Sequence, residues 1–242
     1  ESLTEGRNAV LEAFRSGKTV DRLFVLDGCQ DGPVKTILRE AKKQDTMVQY
    51  VKKERLDQLS ETKNHQGVIA YCAACEYAEV SDILENAKKK GEAPFIVLLD
   101  GIEDPHNLGA IIRTANQAGA HGVIIPKRRA VGLTATVART SAGAVNYTPV
   151  AKVTNLVTVM EDLKKEGMWF VCADMDGEEM YSLNLKGPIG LVIGNEGEGV
   201  SRLVKEHCDM VASIPMKGDI DSLNASVAMG VLAYEIVRQR RF

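Results

Sequence analysis

The stretch that decides the fold is Phe95-Ile96-Val97-Leu98-Leu99-Asp100-Gly101, an unbroken apolar run that ends in an acid and a glycine. Four more apolar runs of this kind follow along the chain, at 122–126, 169–173, 189–193 and 210–214. Strands with one wet face alternate apolar and polar residues, whereas continuous runs are typical of parallel strands covered on both faces. Segments of helical periodicity lie between most of these strands and after the last one: 107–118, 155–166, 201–207 and 226–239. The pattern predicts an α/β domain with a mainly parallel sheet.

The residues before this domain carry a separate and smaller pattern. Short strands are predicted at 23–26, 48–51 and 68–71, with helices at 9–14, from Pro33 onward and at 54–59. Residues 76–93 contain acids, a lysine run and a predicted helix at 81–90, and Pro94 follows them. We therefore predict a small α/β domain at 1–75, a linker at 76–93 and the larger domain at 94–242.

Composition narrows the functional classes. The chain has 242 residues, 45% of them hydrophobic and 26% charged, which is enough for two domains. No apolar run reaches the roughly 20 residues of a bilayer span and the N-terminus lacks a signal-peptide layout, so we expect a cytoplasmic protein without a membrane partner. The net charge of −3 excludes a uniformly basic surface, so RNA binding would need local basic patches: 88–90, 127–129 and 238–241.

Cysteines and histidines give no metal signal. The five cysteines are an odd number, which favours a reducing compartment over a disulfide framework. Cys72 and Cys75 form a C-x-x-C pair, but there is no second pair, and we interpret the spacing as chance. The four histidines show no ligand spacing, so no metal is expected.

Polar and glycine residues are concentrated at the ends of three predicted strands, in segments 100–115, 194–201 and 214–228. Ligands of open α/β sheets bind at such strand ends. The middle segment has three glycines but matches neither a dinucleotide loop nor a P-loop. Glu196 and Glu198 would repel phosphates, so the glycines favour close approach of the backbone to a ligand that is not a polyphosphate. Taken singly, the first segment is explained equally well as a loop with a helix cap, and the third is better explained as a helix cap than as a site.

The order and separation of the three segments resemble the signature motifs of the SpoU/TrmH family of RNA 2′-O-methyltransferases. Asn107 and Arg113 correspond to the first motif, 194–197 to the second and 222–226 to the third. Residues 6–10 and 139–144 are similar to the RlmB-type branch, which modifies guanosine in 23S rRNA. The resemblance covers essentially the whole chain.

This resemblance implies a SPOUT fold, in which a C-terminal trefoil knot binds S-adenosylmethionine, a homodimer, and an L30e-like N-terminal domain that holds RNA. It also implies a cofactor site and a catalytic site. The cofactor residues would be Gly194, Ile214, Met216, Leu223 and Ser226. The catalytic residues would be Arg113, Asn107, Glu196, Ser222 and Asn224.

Arg113 is expected to hold a phosphate and to stabilise alkoxide charge, because a guanidinium does not lose its proton in proteins. Asn107 would position the nucleotide, and the hydroxyl proton would leave through phosphate, Glu196 or water. His106 is expected to have only a surface role.

The alternatives are a transfer RNA guanosine-2′-O-methyltransferase, an adenosine-specific resistance enzyme and a non-catalytic RNA-binding protein on the same scaffold. The last would be expected to lack Arg113 or Asn224, and both are present.

Overall fold

The computed structural model describes residues 2–242, which divide into two compact units. The N-terminal unit comprises the chain up to Glu76 together with Gly132–Ala135. The C-terminal unit comprises Tyr77–Val131 and Thr136–Phe242. No helix within 2–242 combines the length and the apolar character needed to cross a bilayer.

The N-terminal unit is a small α/β sandwich around a four-stranded mixed sheet of order β1-β4-β2-β3. Its strands are β1 (Ser2–Glu5), β2 (Val20–Leu26), β3 (Met47–Val51) and β4 (Val68–Cys72), and its helices are α1 (Arg7–Arg15), α2 (Gly32–Lys43) and α3 (Lys53–Leu59). Neighbouring residues of a strand face opposite sides of a sheet. Leu23 and Val25 accordingly pack in the core with α1 and α2, whereas Phe24 packs with Leu56 of α3 on the other face. The predicted strands and helices of this unit are confirmed, and β1 is an addition.

The C-terminal unit contains a six-stranded sheet of order β10-β8-β9-β5-β6-β7 in which every pairing is parallel. Its strands are β5 (Phe95–Asp100), β6 (Gly122–Pro126), β7 (Val150–Val153), β8 (Trp169–Glu179), β9 (Ile189–Gly194) and β10 (Met210–Ser213). Its helices are α4 (Val80–Lys89), α5 (Pro105–Gln117), α6 (Ala135–Thr140), α7 (Leu156–Lys165), α8 (Arg202–Glu206) and α9 (Ala225–Arg241). All six residues of β5 are buried, as continuous apolar runs predict. The parallel sheet is confirmed; β7 and α6 are additions.

Residues 76–93 are packed more closely than a linker would be. The predicted helix is confirmed as α4, and its Ile83 and Ala87 are buried. A methyl group placed on Gly122 would lie 2.5 Å from Ile83, so α4 presses closely against β6. The structure therefore assigns this segment from Tyr77 onward to the C-terminal unit.

Strand β8 is irregular where it runs beside β10. Val211 pairs with Cys172, but the next residue, Ala212, pairs with Glu178. Residues 173–177 therefore leave the regular pairing at the carboxyl end of the sheet. This excursion forms one wall of the cavity described next.

Candidate active site

A cavity of about 300 Å³ lies at the carboxyl ends of β8, β9 and β10. Its walls come from four segments of the C-terminal unit: 173–176, 193–199, 212–216 and 221–228. Parallel strands bring their carboxyl ends to one edge of the sheet, which is where open α/β sheets bind ligands. The cavity therefore lies where the sequence predicts a ligand site.

Gly194 is needed because the following loop folds back against it. A methyl group on Gly194 would lie 2.2 Å from the carbonyl carbon of Gly199 and from the nitrogen of Val200. The loop is closed by a hydrogen bond of 2.7 Å from the Gly199 amide to the Asn195 carbonyl. No side chain fits between these backbones, so Gly194 is required for the packing of the loop against the end of β9, whereas the sequence predicted an approach to a ligand.

The same loop is tied to the end of β5. The Asn195 side chain donates to the Gly101 carbonyl at 3.1 Å and accepts from the Gly197 amide at 2.8 Å. Asp100 is buried, and its carboxylate accepts from the Ser201 amide at 2.7 Å. These bonds fix the 195–199 loop beside the start of α5, where the first motif lies.

One carboxylate oxygen joins all three motifs. Glu196 Oε1 accepts hydrogen bonds from Asn107 Nδ2 at 3.2 Å, from the Ala225 amide at 3.1 Å and from Asn224 Nδ2. Asn224 Nδ2 also donates to Asn107 Oδ1 at 3.1 Å. We refer to Asn107, Glu196 and Asn224 as the Asn–Glu–Asn junction. Three of the five predicted catalytic residues therefore contact one another.

The junction is also the start of helix α9. Asn224 is its N-cap, and Asn224 Oδ1 accepts from the Ser226 amide at 3.0 Å and from the Val227 amide at 3.3 Å. An asparagine cap satisfies amide donors that have no partner within the helix. The position of α9 is therefore tied to the position of Glu196.

Arg113 lies in the third turn of α5, outside the junction. Its side chain is exposed and makes no hydrogen bond or ion pair with any residue of 2–242. A guanidinium with no internal partner can bind a substrate oxyanion without first breaking an existing contact. His106 is also exposed, and its backbone amide donates to the helix-capping Asp104 at 2.8 Å.

Four of the five predicted cofactor residues line the cavity, and one does not. Gly194, Ile214, Met216 and Leu223 line the cavity, and Ser222, predicted as catalytic, lines it as well. Ser226 is not among the lining residues, and its hydroxyl donates to Asn224 Oδ1 in the first turn of α9.

The sequence reasoning missed the wall formed by β8. Asp174, Met175 and Asp176 line the cavity, and Asp174 forms an ion pair of 2.9 Å with Lys205. Burial raises the pKa of the Asp174 carboxyl, but hydrogen bonds from the Asp176 amide and from Lys205 outweigh burial and bring this pKa below its ordinary value. Asp174-Met175-Asp176 follows the apolar run 169–173, as the three motifs follow their runs, so the strand-end rule could have found it.

The charge around the cavity is negative. Carboxylates from Asp174, Asp176, Glu196, Glu198 and Asp221 are among its lining residues, and no lysine or arginine of residues 2–242 is. Arg129 forms an ion pair of 3.0 Å with Glu198 beside it. Such a lining favours a ligand that carries positive charge and disfavours a polyphosphate. No cluster of three or more metal-binding side chains occurs within residues 2–242.

A parallel sheet with a glycine-closed, acidic cavity at its carboxyl edge defines an α/β protein whose cavity favours a small, positively charged ligand. Family models identify it more closely. Residues 94–234 match the SpoU rRNA Methylase family, and residues 3–78 match RNA 2′-O ribose methyltransferase substrate binding. The chain belongs to the SpoU/TrmH family, whose RNA methyltransferases use S-adenosylmethionine.

Individual relatives agree with this assignment. The TrmH family protein YacO of Bacillus subtilis (strain 168), named as a tRNA/rRNA methyltransferase, is 49% identical over 97% of this chain and 94% of its own. The AdoMet-bound rRNA methyltransferase from Sinorhizobium meliloti is 25% identical, with a TM-score of 0.61 over 98% of this chain and 86% of that one. The TrmH/SpoU tRNA modifying enzyme of A. aeolicus is 27% identical, with a TM-score of 0.56 over 66% of this chain and 84% of that one.

Proposed function

We propose that this protein transfers a methyl group from S-adenosylmethionine to a ribose 2′-hydroxyl of RNA, and that its substrate is a guanosine of 23S rRNA. The observation that carries the proposal is the Asn–Glu–Asn junction, which brings the three motifs together beside the cavity while Arg113 stays exposed.

The residues of the cavity fit the cofactor. Gly194 lets the 195–199 loop fold back and close one side of the cavity, and Ile214, Met216 and Leu223 offer apolar contacts for an adenine ring. The surrounding carboxylates complement the positive sulfonium and ammonium groups of S-adenosylmethionine. When bound, S-adenosylmethionine supplies a methyl group on a good leaving group, so the protein must mainly align the hydroxyl and manage its proton.

Arg113 would hold the RNA phosphate next to the reacting ribose and stabilise the negative charge that develops on the 2′-oxygen. A guanidinium stays protonated in proteins, so it serves as a fixed positive charge with a planar pair of donors rather than as a base. Electrostatic stabilisation of this kind commonly contributes more to enzymatic rate enhancement than any other single effect.

Glu196 would act as a positioning residue. Its Oε1 already accepts three hydrogen bonds, which hold Asn107, Asn224 and the start of α9. Asn107 then presents a fixed amide to the nucleotide, and the hydroxyl proton leaves through phosphate or water. Ser222 would contact the cofactor side of the reacting centre, where it lines the cavity.

The comparisons for the N-terminal unit favour ribosomal RNA as the substrate. It matches the substrate-binding family model, and the ribosomal RNA enzyme of S. meliloti aligns with 98% of the chain. The tRNA modifying enzyme of A. aeolicus aligns with only 66% of it. We propose that residues 1–75 hold RNA in an L30e-like domain, that 94–242 form the catalytic domain with its trefoil knot, and that the protein works in the cytoplasm.

We further propose that the protein is a homodimer. Helix α9 exposes Val227 (49% exposed) and Tyr234 (50% exposed), with Val231 between them, at the spacing of one helical face. An apolar stripe on an outer helix face is typical of a subunit contact. Sedimentation equilibrium of the purified chain measures the subunit number directly.

The decisive test of the function uses labelled S-adenosylmethionine with protein-free 23S rRNA and, in parallel, bulk tRNA. We expect label in 23S rRNA, and we expect the adjacent phosphodiester bond to resist alkaline hydrolysis, because the 2′-oxygen that would attack it is methylated. The matched control is Arg113→Ala, which should bind cofactor without transferring methyl. Label on a base, or label only in tRNA, would contradict the reaction or the substrate, respectively.

A further inference from the structure

The N-terminal unit contains a cavity of its own, of about 450 Å³. It is lined by Arg7, Asn8, Leu26, Gln66 and Gly67, all of which belong to that unit. The methyl-transfer site described above uses none of these residues.

One wall of this cavity is held in place by hydrogen bonds. Gln66 has a φ of 52°, a conformation that residues with a side chain rarely adopt. Its Oε1 accepts from the Arg7 amide at 3.0 Å, and its carbonyl accepts from Arg7 Nε at 3.1 Å. The loop before it is held by Glu5, whose carboxylate accepts from the Glu61 and Thr62 amides at 2.8 and 3.0 Å. Polar groups held in this way are prepared for a ligand before it arrives.

The charges at this cavity disfavour a phosphate ligand. Arg7 Nη2 forms an ion pair of 2.5 Å with Asp31, so its positive charge is already balanced. A phosphate placed against Arg7 would also meet the Asp31 carboxylate. The face of the guanidinium remains suited to stacking on a planar, neutral group.

The remaining lining groups fit such a planar ring. Asn8 is exposed, and its side-chain amide makes no hydrogen bond with any residue of 2–242, so it can offer both a donor and an acceptor. Leu26 adds an apolar contact, and Gly67 brings backbone without a side chain. RNA-binding proteins recognise single-stranded bases by this combination of stacking and amide hydrogen bonds.

We propose that this cavity binds one unstacked nucleobase of the RNA substrate, with Asn8 bonding to the edge of the base and Arg7 and Leu26 contacting its faces. The inference rests on the proposed function, because it takes RNA as the ligand. It adds a defined base-binding site on the N-terminal unit.

The test uses the full chain labelled with ¹⁵N and two single-stranded RNA tetranucleotides, one with four bases and one abasic with the same phosphates. The base-containing probe should shift the Asn8 side-chain resonances and the Gln66 and Gly67 amides, and the abasic probe should leave them unchanged. Equal shifts with both probes would show that phosphate contact alone is responsible and would overturn the proposal.

A variant series supplies the second readout. Asn8→Ala should weaken binding of the base-containing tetranucleotide about tenfold, the effect of losing a good amide–base pair. The matched control is Gln58→Ala, which removes an exposed amide from the same unit outside the cavity and should change nothing. Unchanged affinity in Asn8→Ala would overturn the proposal.

The two hypotheses can fail separately. If the chain methylates RNA but neither probe shifts the Asn8 resonances, the base-site hypothesis is wrong and the methyltransferase function stands. If the base-containing probe shifts Asn8 but no methyl transfer to any RNA occurs, the base site stands and the proposed function is wrong.

Discussion

The Gly194→Ala substitution would force a methyl group into the backbone of the 195–199 loop. The added methyl carbon would lie 2.2 Å from two backbone atoms, the carbonyl carbon of Gly199 and the nitrogen of Val200. Carbon atoms in contact prefer a separation of about 3.5 Å, so the loop must retreat by about 1 Å. Backbone cannot rotate away as a flexible side chain can, and the retreat must therefore move the wall of the cavity.

The magnitude follows from two consequences of that retreat. Overpacking of this kind costs about 1–3 kcal/mol in stability, which for a chain of this size is a few degrees in Tm. The displaced loop also carries Glu196, and a misplacement of about 1 Å in a site can reduce function about 100-fold. We expect the affinity for S-adenosylmethionine to fall about 100-fold, which corresponds to about 2.7 kcal/mol.

Titration calorimetry with S-adenosylmethionine measures this affinity, and thermal unfolding monitors the fold. The matched control is Gly218→Ala, because Gly218 is not among the residues that line the cavity and a methyl group there would meet no atom within 4 Å. The control should bind within about threefold of wild type, since nothing there is overpacked. Near-normal binding by Gly194→Ala, or an equal loss in Gly218→Ala, would refute the reasoning.

Four further predictions concern activity and stability. Arg113→Ala and Arg113→Lys should each lower single-turnover methylation about 100- to 1,000-fold with unchanged cofactor affinity by calorimetry; lost binding would place Arg113 in the cofactor site. Glu196→Gln keeps an acceptor oxygen and should retain most turnover, whereas Glu196→Ala should lose about tenfold or more in the same assay; an inactive, cofactor-binding Gln variant would show that the charge itself is required. In urea, residues 91–242 should be less stable than 77–242 by at least about 1.5–3 kcal/mol, because they lack the buried Ile83; equal stability would mean that α4 is dispensable. Burial lowers the pKa of His121, whose neutral Nδ1 accepts a hydrogen bond from the Phe95 amide. The contribution of His121 to stability is therefore complete above pH about 6.5 and declines as pH falls through the folded-state pKa. Between pH 7.5 and 5.5, the free energy of unfolding in urea should fall less in His121→Gln than in wild type.

The parts of the fold that are predictable from the sequence are those where burial alone decides the pattern. Strand β5 is buried at every position, so its unbroken apolar run marks it without ambiguity. Strand β7, Val150–Val153, is short, lies at the edge of the sheet and contains Lys152, so four residues give no distinguishable periodicity. Strand β1 is likewise short, and it is defined only by pairing with β4, which lies far away in sequence.

The candidate site was predictable where chemistry lies within one motif and not where it depends on distant pairing. Asn107 and Asn224 are 117 positions apart, and only the family resemblance suggested that they act together. The acidic residues at 174–176 follow an apolar run and were open to the strand-end rule, but the register jump between β8 and β10 that makes them a wall is not encoded by any local pattern. Ser226 was expected beside the cofactor, yet it bonds to the Asn224 cap two residues earlier, a local preference of serine and asparagine at helix starts.

Glu196 connects what would otherwise be independent parts of the site. It belongs to the loop that closes the cavity, it holds Asn107 at the start of the helix that carries Arg113, and it holds the first residues of α9. In the proposed function, the cofactor contacts the 195–199 loop and RNA contacts Asn107, so both ligands depend on the same carboxylate. Because coupling between two bound ligands is reciprocal, we predict that RNA and S-adenosylmethionine raise each other's affinity by the same factor.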